Sequence, residues 1–290
     1  MQTLNFSELP VSEEIHRAIA DMGFTEASPI QAEAIPVILQ GRDVIGQAQT
    51  GTGKTAAFGI PAIEFADVND RSTQTLILCP TRELAVQVSE QLKKIAAHKR
   101  GLNIEVVFGG DSMERQIRSL KRGCQIVVGT PGRVIDHLER KTLNISNLKM
   151  LILDEADEML NMGFREDIEN ILTNAPGERQ TLLFSATMSK EILSITKRFQ
   201  KDPIIIKVAK NEIANENIEQ QFFAVRREAK IEVMCRLIDV HDLKLVLVFS
   251  NMKAKVDEIV EQLIARGYPA EGLHGDMRQQ ARTQTMNKFR

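Results

Sequence analysis

Aromatic residues are scarce in this 290-residue chain, which contains no tryptophan and a single tyrosine. A protein that recognises bases by stacking usually carries more aromatic rings, so stacking is not expected to dominate recognition. The formal net charge is −2 and the pI is about 6.3. A nucleic-acid-binding role would therefore depend on a local basic surface and on contacts to the backbone.

Cysteine and long apolar runs are also in short supply. The three cysteines, Cys79, Cys124 and Cys235, are widely separated and form no Cys-x-x-Cys pair. This pattern argues against disulfides and zinc, and favours a reducing, cytoplasmic location. No apolar run approaches membrane-spanning length, and the first residues show no basic segment followed by an apolar one. We therefore expect a globular protein with no membrane association.

The most informative stretch is residues 48–55, Ala-Gln-Thr-Gly-Thr-Gly-Lys-Thr, which lies between a short apolar run and a helical pattern. A strand, a glycine-bearing loop and a helix that opens with Lys-Thr indicate a P-loop nucleotide site. Gly51 and Gly53 allow consecutive N–H groups to turn inward, and the helix N-terminus adds partial positive charge. Lys54 is expected to reach the outer phosphates, and the Thr55 hydroxyl to serve Mg²⁺. The stretch begins with alanine where the general pattern has glycine, so it is a variant of the motif.

Apolar runs alternate with helical patterns over the first two hundred residues, which predicts a parallel sheet covered on both faces by helices. In such sheets ligands bind at the carboxyl ends of the strands. The predicted strands are residues 44–46, 75–79, 104–108, 126–128, 150–153, 181–184 and 204–208. The predicted helices are residues 12–22, 29–39, 83–97, 115–120, 133–140, 164–172 and 190–199, with a further helix starting at residue 56.

The pattern changes after residue 208. Residues 210–218 are polar and predict a linker between a first domain over residues 1–209 and a second over residues 219–290. The second domain has predicted strands at 220–225, 245–249 and 270–273, and predicted helices at 229–240, 253–266 and 279–289. These are fewer strands than a doubly wound domain usually needs, so we expect an incomplete second domain and a fragment of a longer protein.

A phosphate loop needs a carboxylate for its metal, and residues 154–157, Asp-Glu-Ala-Asp, supply one where a buried strand ends. Asp154 is placed to hold Mg²⁺ through water, and Glu155 to orient or deprotonate the attacking water. Acidic residues are also common in the first turns of helices, which is the plainer interpretation. Ser185 and Thr187 follow another apolar strand, where their hydroxyls could bond to the carboxylates or cap the next helix.

Together these features resemble the DEAD-box RNA helicases, most closely the bacterial cold-shock and RNA-degradation type. The resemblance implies an RNA-dependent ATPase whose two domains close around ATP and single-stranded RNA and unwind duplexes locally. The implied fold class is α/β with two RecA-like P-loop domains, the second incomplete. The stretches that carry the resemblance, in the family's order, are residues 23–31, 48–55, 80–84, 109–110, 130–133, 154–157, 185–187, 248–250, 274–276 and 279–282.

The resemblance also assigns roles around the nucleotide. Gln31 would read the adenine edge, a task suited to an amide with both donor and acceptor, and Phe6 would pack on the base. Ser185 and Thr187 would couple hydrolysis to strand separation. The predicted catalytic residues are Lys54, Asp154, Glu155, Asp157, Ser185 and Thr187. The predicted nucleotide-binding residues are Phe6, Phe24, Gln31, Gln49, Thr50, Gly51, Thr52, Gly53, Lys54 and Thr55, with Thr55 and Asp154 holding Mg²⁺.

RNA contacts implied by the resemblance lie in loops that follow strands and in the last helix. Arg133 opens a helix whose N-terminus can receive a phosphate. Arginines at such positions also occur as solvated surface charge, and glycine pairs as plain turns. The scarcity of aromatics favours phosphate and 2′-hydroxyl contacts without sequence reading. The predicted RNA-binding residues are Thr81, Arg82, Gly110, Thr130, Arg133, Gln279 and Arg282.

The family's later motifs, which would bring arginines to the γ-phosphate, fall beyond residue 290. We therefore expect this chain to bind ATP and Mg²⁺ but to convert ATP to ADP poorly. Two alternatives remain, a nucleotide-responsive RNA clamp without turnover and a DNA helicase of related core. A GTPase would need Asn-Lys-x-Asp and a transporter ATPase Ser-Gly-Gly-Gln, and neither occurs. We expect a monomer, with any partners in ribosome assembly or RNA degradation left open.

Overall fold

The computed structural model of the chain describes residues 4–208 and 218–289. It divides into two compact units, one up to residue 212 and the other from residue 213. The predicted linker at 210–218 falls outside the described residues except for residue 218. Within the described ranges, no helix combines the length and hydrophobicity that a membrane crossing requires.

The first unit is built on one seven-stranded sheet with the order β3-β4-β2-β5-β6-β1-β7, in which every pair of neighbours is parallel. All carboxyl ends therefore lie along one edge of the sheet. The seven predicted strands are confirmed, each end within one residue. In chain order, β1 to β7 span Val44–Gln47, Thr75–Leu78, Ile104–Val107, Ile126–Gly129, Met150–Leu153, Gln180–Ser185 and Ile204–Lys207.

Helices cover both faces of this sheet, and the predicted helices are confirmed with small shifts at their ends. The six-residue helix α7 was not predicted, because one and a half turns are too short to show a periodic pattern. In chain order, α1 to α9 span Glu13–Asp21, Pro29–Leu39, Lys54–Glu64, Arg82–Ile95, Met113–Lys121, Pro131–Glu139, Ala156–Asn161, Arg165–Asn174 and Lys190–Phe199.

Alternate residues of the central strands face two separate hydrophobic cores. In β5, Met150 and Ile152 belong to the core that α1 to α4 complete, while Leu151 and Leu153 belong to the core of α5 to α9. All four side chains are buried. Burial on both faces explains why the strands are continuous apolar runs, and it confirms the predicted α/β class of this unit.

The second unit contains the three predicted helices, α10 (Lys230–Val240), α11 (Lys253–Ala265) and α12 (Gln279–Phe289). The predicted strands at 220–225, 245–249 and 270–273 are wrong, since none of these described segments forms a strand. A strand exists through ladder hydrogen bonds to a neighbour, whereas a helix satisfies its own backbone. The side chains of Phe222 and Phe249 are accordingly 91% and 87% exposed. The described residues of this unit therefore form no sheet.

Close packing at the centre of the first unit gives a stability prediction. A Cβ added to Gly46 in β1 would lie 2.5 Å from the buried Phe184 ring, which is itself in contact with Phe58 at 5.4 Å between ring centroids. We expect Gly46→Ala to lower the free energy of unfolding by about 1–3 kcal/mol, measured by urea titration. Gly177→Ala is the control, because nothing lies within 4 Å of the added Cβ at Gly177. Equal stability of the two variants would contradict the packing argument.

Candidate functional site

The glycine-bearing loop joins β1 to α3 at the carboxyl edge of the sheet. Gly51 and Gly53 adopt φ values of +85° and +91°, in a backbone region that residues other than glycine rarely adopt. At Gly53 a Cβ would also lie 2.3 Å from Nε2 of Gln31. Both the turn and the close approach of the Gln31 amide therefore require glycine at residue 53.

Lys54 is buried at the first position of α3 and bends back toward the loop. Its Nζ donates a hydrogen bond to the carbonyl oxygen of Ala48 at 3.2 Å. The neighbouring Thr55 hydroxyl makes no hydrogen bond within residues 4–208 and 218–289. The loop thus holds one ammonium group and an unengaged hydroxyl where the predicted phosphates and metal would bind.

Asp154 follows β5 directly and is only 2% exposed. Its Oδ1 has no hydrogen-bond partner in the described part of the chain. Burial raises the pKa of Asp154 to about 6, an effect that the nearby Lys54 ammonium opposes and the Glu155 carboxylate reinforces. A buried carboxylate oxygen without a partner is costly, so this geometry favours a bound cation or an ordered water.

Glu155 connects the acidic strand end to the phosphate loop. Its Oε1 accepts a hydrogen bond from the Thr50 hydroxyl at 2.9 Å. The backbone of Glu155 is in the left-handed region, with φ of 52° and ψ of 51°. That conformation costs on the order of 1–3 kcal/mol for a residue other than glycine, and such strain is concentrated at functional sites.

The third carboxylate of the stretch, Asp157, contacts the segment after β6. Its Oδ2 accepts hydrogen bonds from the backbone N–H and the hydroxyl of Thr187, both at 2.9 Å. Ser185 is buried, and its hydroxyl donates to the Thr187 carbonyl oxygen at 2.6 Å rather than to a carboxylate. Thr187 is therefore joined to the acidic segment directly, and Ser185 supports Thr187.

The donor set fits Mg²⁺. The described residues contain no group of three or more His, Cys, Asp or Glu side chains that could hold a metal ion by themselves. Mg²⁺ does not need one, because it usually binds through one or two carboxylates, phosphates and retained waters. The unpaired Oδ1 of Asp154 and the unengaged hydroxyl of Thr55 suit that kind of coordination.

A cleft of about 1190 Å³ opens beside the loop and is lined by Phe6, Phe24, Gln31 and Gly53 among others. The two phenyl rings stack with centroids 6.1 Å apart and an interplanar angle of 23°; Phe6 is buried and Phe24 is exposed. The Gln31 amide accepts from the Ser28 N–H at 2.8 Å and donates to the Gly53 carbonyl oxygen at 3.0 Å. One amide hydrogen and one lone pair of Gln31 remain for a ligand.

The predicted RNA-binding residues of the first unit follow β2, β3 and β4, on the other half of the same edge. Gly110 has φ of +86°, and a Cβ there would lie 2.4 Å from Nη1 of Arg82. The guanidinium of Arg82 therefore lies against the Gly110 backbone. Thr81 caps α4 by accepting from the Leu84 N–H at 3.2 Å, while the Thr130 side chain makes no capping bond to α6.

Arg133 is more buried than a solvated surface arginine would be, with its side chain only 11% exposed. Its Nη1 donates to the Asp111 carbonyl oxygen at 3.2 Å and to Oε1 of Gln116 at 3.0 Å. Its Nε lies 3.4 Å from the Asp136 carboxylate. Sequence reasoning missed Gln116; the signal was its helical spacing with the buried Ser119 and Leu120.

In the second unit, the two predicted RNA-binding residues lie on α12. The Nη1 of Arg282 donates to the His274 carbonyl oxygen at 3.3 Å. His274 in turn lies 3.2 Å from the Asp257 carboxylate. The Oε1 of Gln279 is buried without a hydrogen-bond partner among the described residues. Both predicted residues thus lie on one helix, with Arg282 anchored to the loop that carries His274.

Two protein-family models match the chain. The one for DEAD/DEAH box helicases covers residues 28–195, and the one for the helicase conserved C-terminal domain covers residues 229–290. The DEAD-box ATP-dependent RNA helicase CshA of Geobacillus kaustophilus is 52% identical over 285 residues, with 98% of this chain and 61% of that protein covered. The protein of the same name from Bacillus subtilis is 48% identical over 288 residues, with 99% and 58% covered.

A solved structure of a DEAD box protein also matches the chain. The crystal structure of a DEAD box protein from the hyperthermophile Methanococcus jannaschii matches with a TM-score of 0.69 and 41% identity, covering 99% of this chain and 78% of that chain. The chain spans between 53% and 61% of the length of the first curated relatives that it matches.

The buried Asp154 carboxylate predicts a pH-dependent stability. Because folding raises its pKa from 3.8 to about 6, the protonated form stabilises the folded state below pH 4, and that contribution is lost as the pH rises through 6. Asp154→Asn removes the ionisable group and with it the destabilisation that ionisation causes at high pH. We expect the variant to exceed the wild type in free energy of unfolding by about 1–3 kcal/mol at pH 7.5, and by much less at pH 4.5, in urea titrations with EDTA. Asp202→Asn, which alters an exposed ion pair, should match the wild type at both pH values; a pH-independent gain for Asp154→Asn would contradict the prediction.

Proposed function

Because the chain belongs to the DEAD/DEAH box helicase family, we propose that it binds ATP with Mg²⁺ and single-stranded RNA, and couples ATP hydrolysis to local unwinding of RNA duplexes. One observation carries this proposal: the Thr50 hydroxyl of the phosphate loop bonds to Glu155 at 2.9 Å, beside the unpaired Oδ1 of Asp154. A phosphate-binding loop and acidic groups for a metal and a water therefore meet at one point. The names of the relatives, ATP-dependent RNA helicases, support the substrate and the nucleotide.

The chain's own residues divide the work of hydrolysis. The loop N–H groups and the Lys54 ammonium would bind the phosphates once Lys54 leaves the Ala48 carbonyl oxygen. Asp154 and Thr55 would hold Mg²⁺, which neutralises charge on the phosphate oxygens. Glu155 would accept a proton from the attacking water after giving up its bond to Thr50.

Coupling to RNA would pass through two contacts at the strand ends. Thr187 donates two hydrogen bonds to Asp157, so a movement of the acidic segment would also move the segment after β6. On the other side, the Asp154 N–H donates to the Leu78 carbonyl oxygen at 2.9 Å, at the end of the strand that leads to Arg82. One backbone hydrogen bond therefore connects the proposed nucleotide-binding segments with the proposed RNA-binding segments.

Slow turnover by these 290 residues is also part of the proposal. The hydrogen bonds and ion pairs of residues 48–55 and 154–157 within the described chain include no arginine. An arginine at the γ-phosphate contributes on the order of 10³–10⁵ in rate, so its lack would leave a chain that binds ATP well and hydrolyses it slowly. An RNA clamp without turnover is the limiting case. A cytoplasmic location and a monomeric state stay predictions.

Recognition of the base gives one test of the proposal. We expect Gln31→Ala to weaken ATP binding about tenfold and to abolish the preference for ATP over GTP, because the remaining amide hydrogen and lone pair read the adenine edge. Binding of fluorescent ATP and GTP analogues measures both affinities. Gln40→Ala, at the exposed end of the same helix, is the control. A retained preference for ATP in Gln31→Ala would contradict the assignment.

ATP turnover gives another test of the proposal. In a chain extended to the length of its curated relatives, we expect Lys54→Ala to lose ATP affinity, and Glu155→Gln to keep ATP affinity while losing at least 10²-fold in RNA-stimulated phosphate release, because it lacks the group that accepts the proton. Glu158→Gln, exposed on α7, should behave as the wild type. Stimulation by RNA and by single-stranded DNA is compared in the same assay. Equal stimulation would favour the DNA helicase, and RNA binding without any stimulation would favour the clamp.

A further inference from the structure

A cluster of buried polar side chains lies between α5 and α6, away from the nucleotide cleft. Gln116 is 2% exposed and His137 is fully buried. Burying an amide and an imidazole is costly unless every polar atom is paired. Neither residue belongs to the site predicted from the sequence, so their presence in the interior calls for an explanation.

The Gln116 amide uses its whole hydrogen-bonding capacity. Its Nε2 donates to the Phe108 carbonyl oxygen at 3.0 Å and to Oδ2 of Asp111 at 3.2 Å. Its Oε1 accepts from Nη1 of Arg133 and from Nε2 of His137, each at 3.0 Å. A primary amide has two hydrogens and two lone pairs, and all four are engaged. Rotation of the amide by 180° would set its NH₂ group against the guanidinium, so its orientation is fixed.

His137 helps to fix the orientation of the Gln116 amide. Because Oε1 of Gln116 can only accept, Nε2 of His137 must carry the hydrogen, and Nδ1 then accepts from the Thr142 hydroxyl at 2.8 Å. Burial, aided by the nearby Arg133 charge, lowers the pKa of His137, which favours this neutral form. The imidazole therefore acts as a fixed donor.

The four partners of Gln116 come from two segments that the proposed function assigns to RNA. Phe108 and Asp111 flank the Gly109-Gly110 turn after β3, whereas Arg133 and His137 lie on α6, whose first turn follows Thr130. No ladder hydrogen bond can hold this turn, because β3 has already ended. The Gln116 amide instead ties the turn to α6.

We propose that Gln116 is a positioning residue for RNA binding, which sets the spacing between the Gly110 turn and the start of α6 and orients Arg133, with His137 as its support. This inference rests on the proposed function. Two segments at a fixed spacing can contact the regularly repeating sugar–phosphate backbone of RNA without reading its bases. A loss of this spacing lowers affinity equally for all RNA sequences.

The test measures binding of a fluorescein-labelled oligouridylate to the full chain with a non-hydrolysable ATP analogue and Mg²⁺. Gln116→Met keeps the volume and removes all four hydrogen bonds, so we expect about a tenfold loss of RNA affinity with unchanged nucleotide affinity. If Gln116 acts largely through Arg133, Gln116→Met lowers RNA affinity much less in an Arg133→Ala background than in the wild type, because the two residues are coupled through a direct hydrogen bond. Additive losses of RNA affinity would overturn the proposal.

Two matched controls separate positioning from general stability. Gln125 is a fully buried glutamine with side-chain hydrogen bonds to Asn103 and Val68, but it precedes β4 at the opposite edge of the sheet. Gln125→Met should lower stability and leave RNA affinity unchanged; a loss equal to that of Gln116→Met would overturn the proposal. His137→Gln can keep a donor near the position of Nε2 and should bind RNA as the wild type does, whereas His137→Asn should resemble Gln116→Met.

The outcomes also distinguish this inference from its premise. A wild type that does not bind the oligouridylate overturns the proposed function and this assignment together. A wild type that binds, with unchanged affinity in Gln116→Met, overturns the assignment alone. If Gln116→Met does not fold, the two His137 variants decide: equal RNA affinity in His137→Gln and His137→Asn refutes the proposal.

Discussion

The hydrogen bond from the Asp154 N–H to the Leu78 carbonyl oxygen continues the β2–β5 ladder by one step beyond the strands, and the chemistry of the first unit is arranged around it. On one side lie the phosphate loop and the acidic segment, and on the other the segments that follow β2, β4 and β3. Because every ladder is parallel, each loop leaves the sheet in the same direction. A displacement of Asp154 would therefore be transmitted through this backbone hydrogen bond to the segments that we propose to bind RNA.

The same edge stores unfavourable energy that ligands can release. Asp154 is buried with an unpaired oxygen, Glu155 has a left-handed backbone, and Lys54 has only a backbone carbonyl oxygen as its hydrogen-bond acceptor in the described chain. Phosphate and a divalent cation would supply the partners that these groups lack. Binding of these proposed ligands would thus be favoured because the protein positions these groups at a cost in stability, as is usual for functional sites.

The sequence predicted the sheet well, because strands buried on both faces are continuous apolar runs, and predicted the family, which the comparisons confirm. The candidate site residues could be named from the sequence where they follow such strands, and their roles stay predictions. Gln116 and His137 were missed because a polar residue on a helix looks the same in sequence whether it faces solvent or a buried partner. The strands of the second unit were wrong because pairing depends on distant neighbours that a local pattern does not contain.

The position of β1 in the sheet has a consequence for how the protein is made. This strand carries the phosphate loop, yet its ladder partners are β6 and β7, which come more than a hundred residues later in the chain. During synthesis, β1 therefore remains without its neighbours until most of the first unit has left the ribosome. Such distant pairing slows folding and leaves an apolar segment exposed to aggregation in the meantime. The loop after β1 is thus translated early, and the nucleotide site that we propose around it is among the last parts of the first unit to assemble.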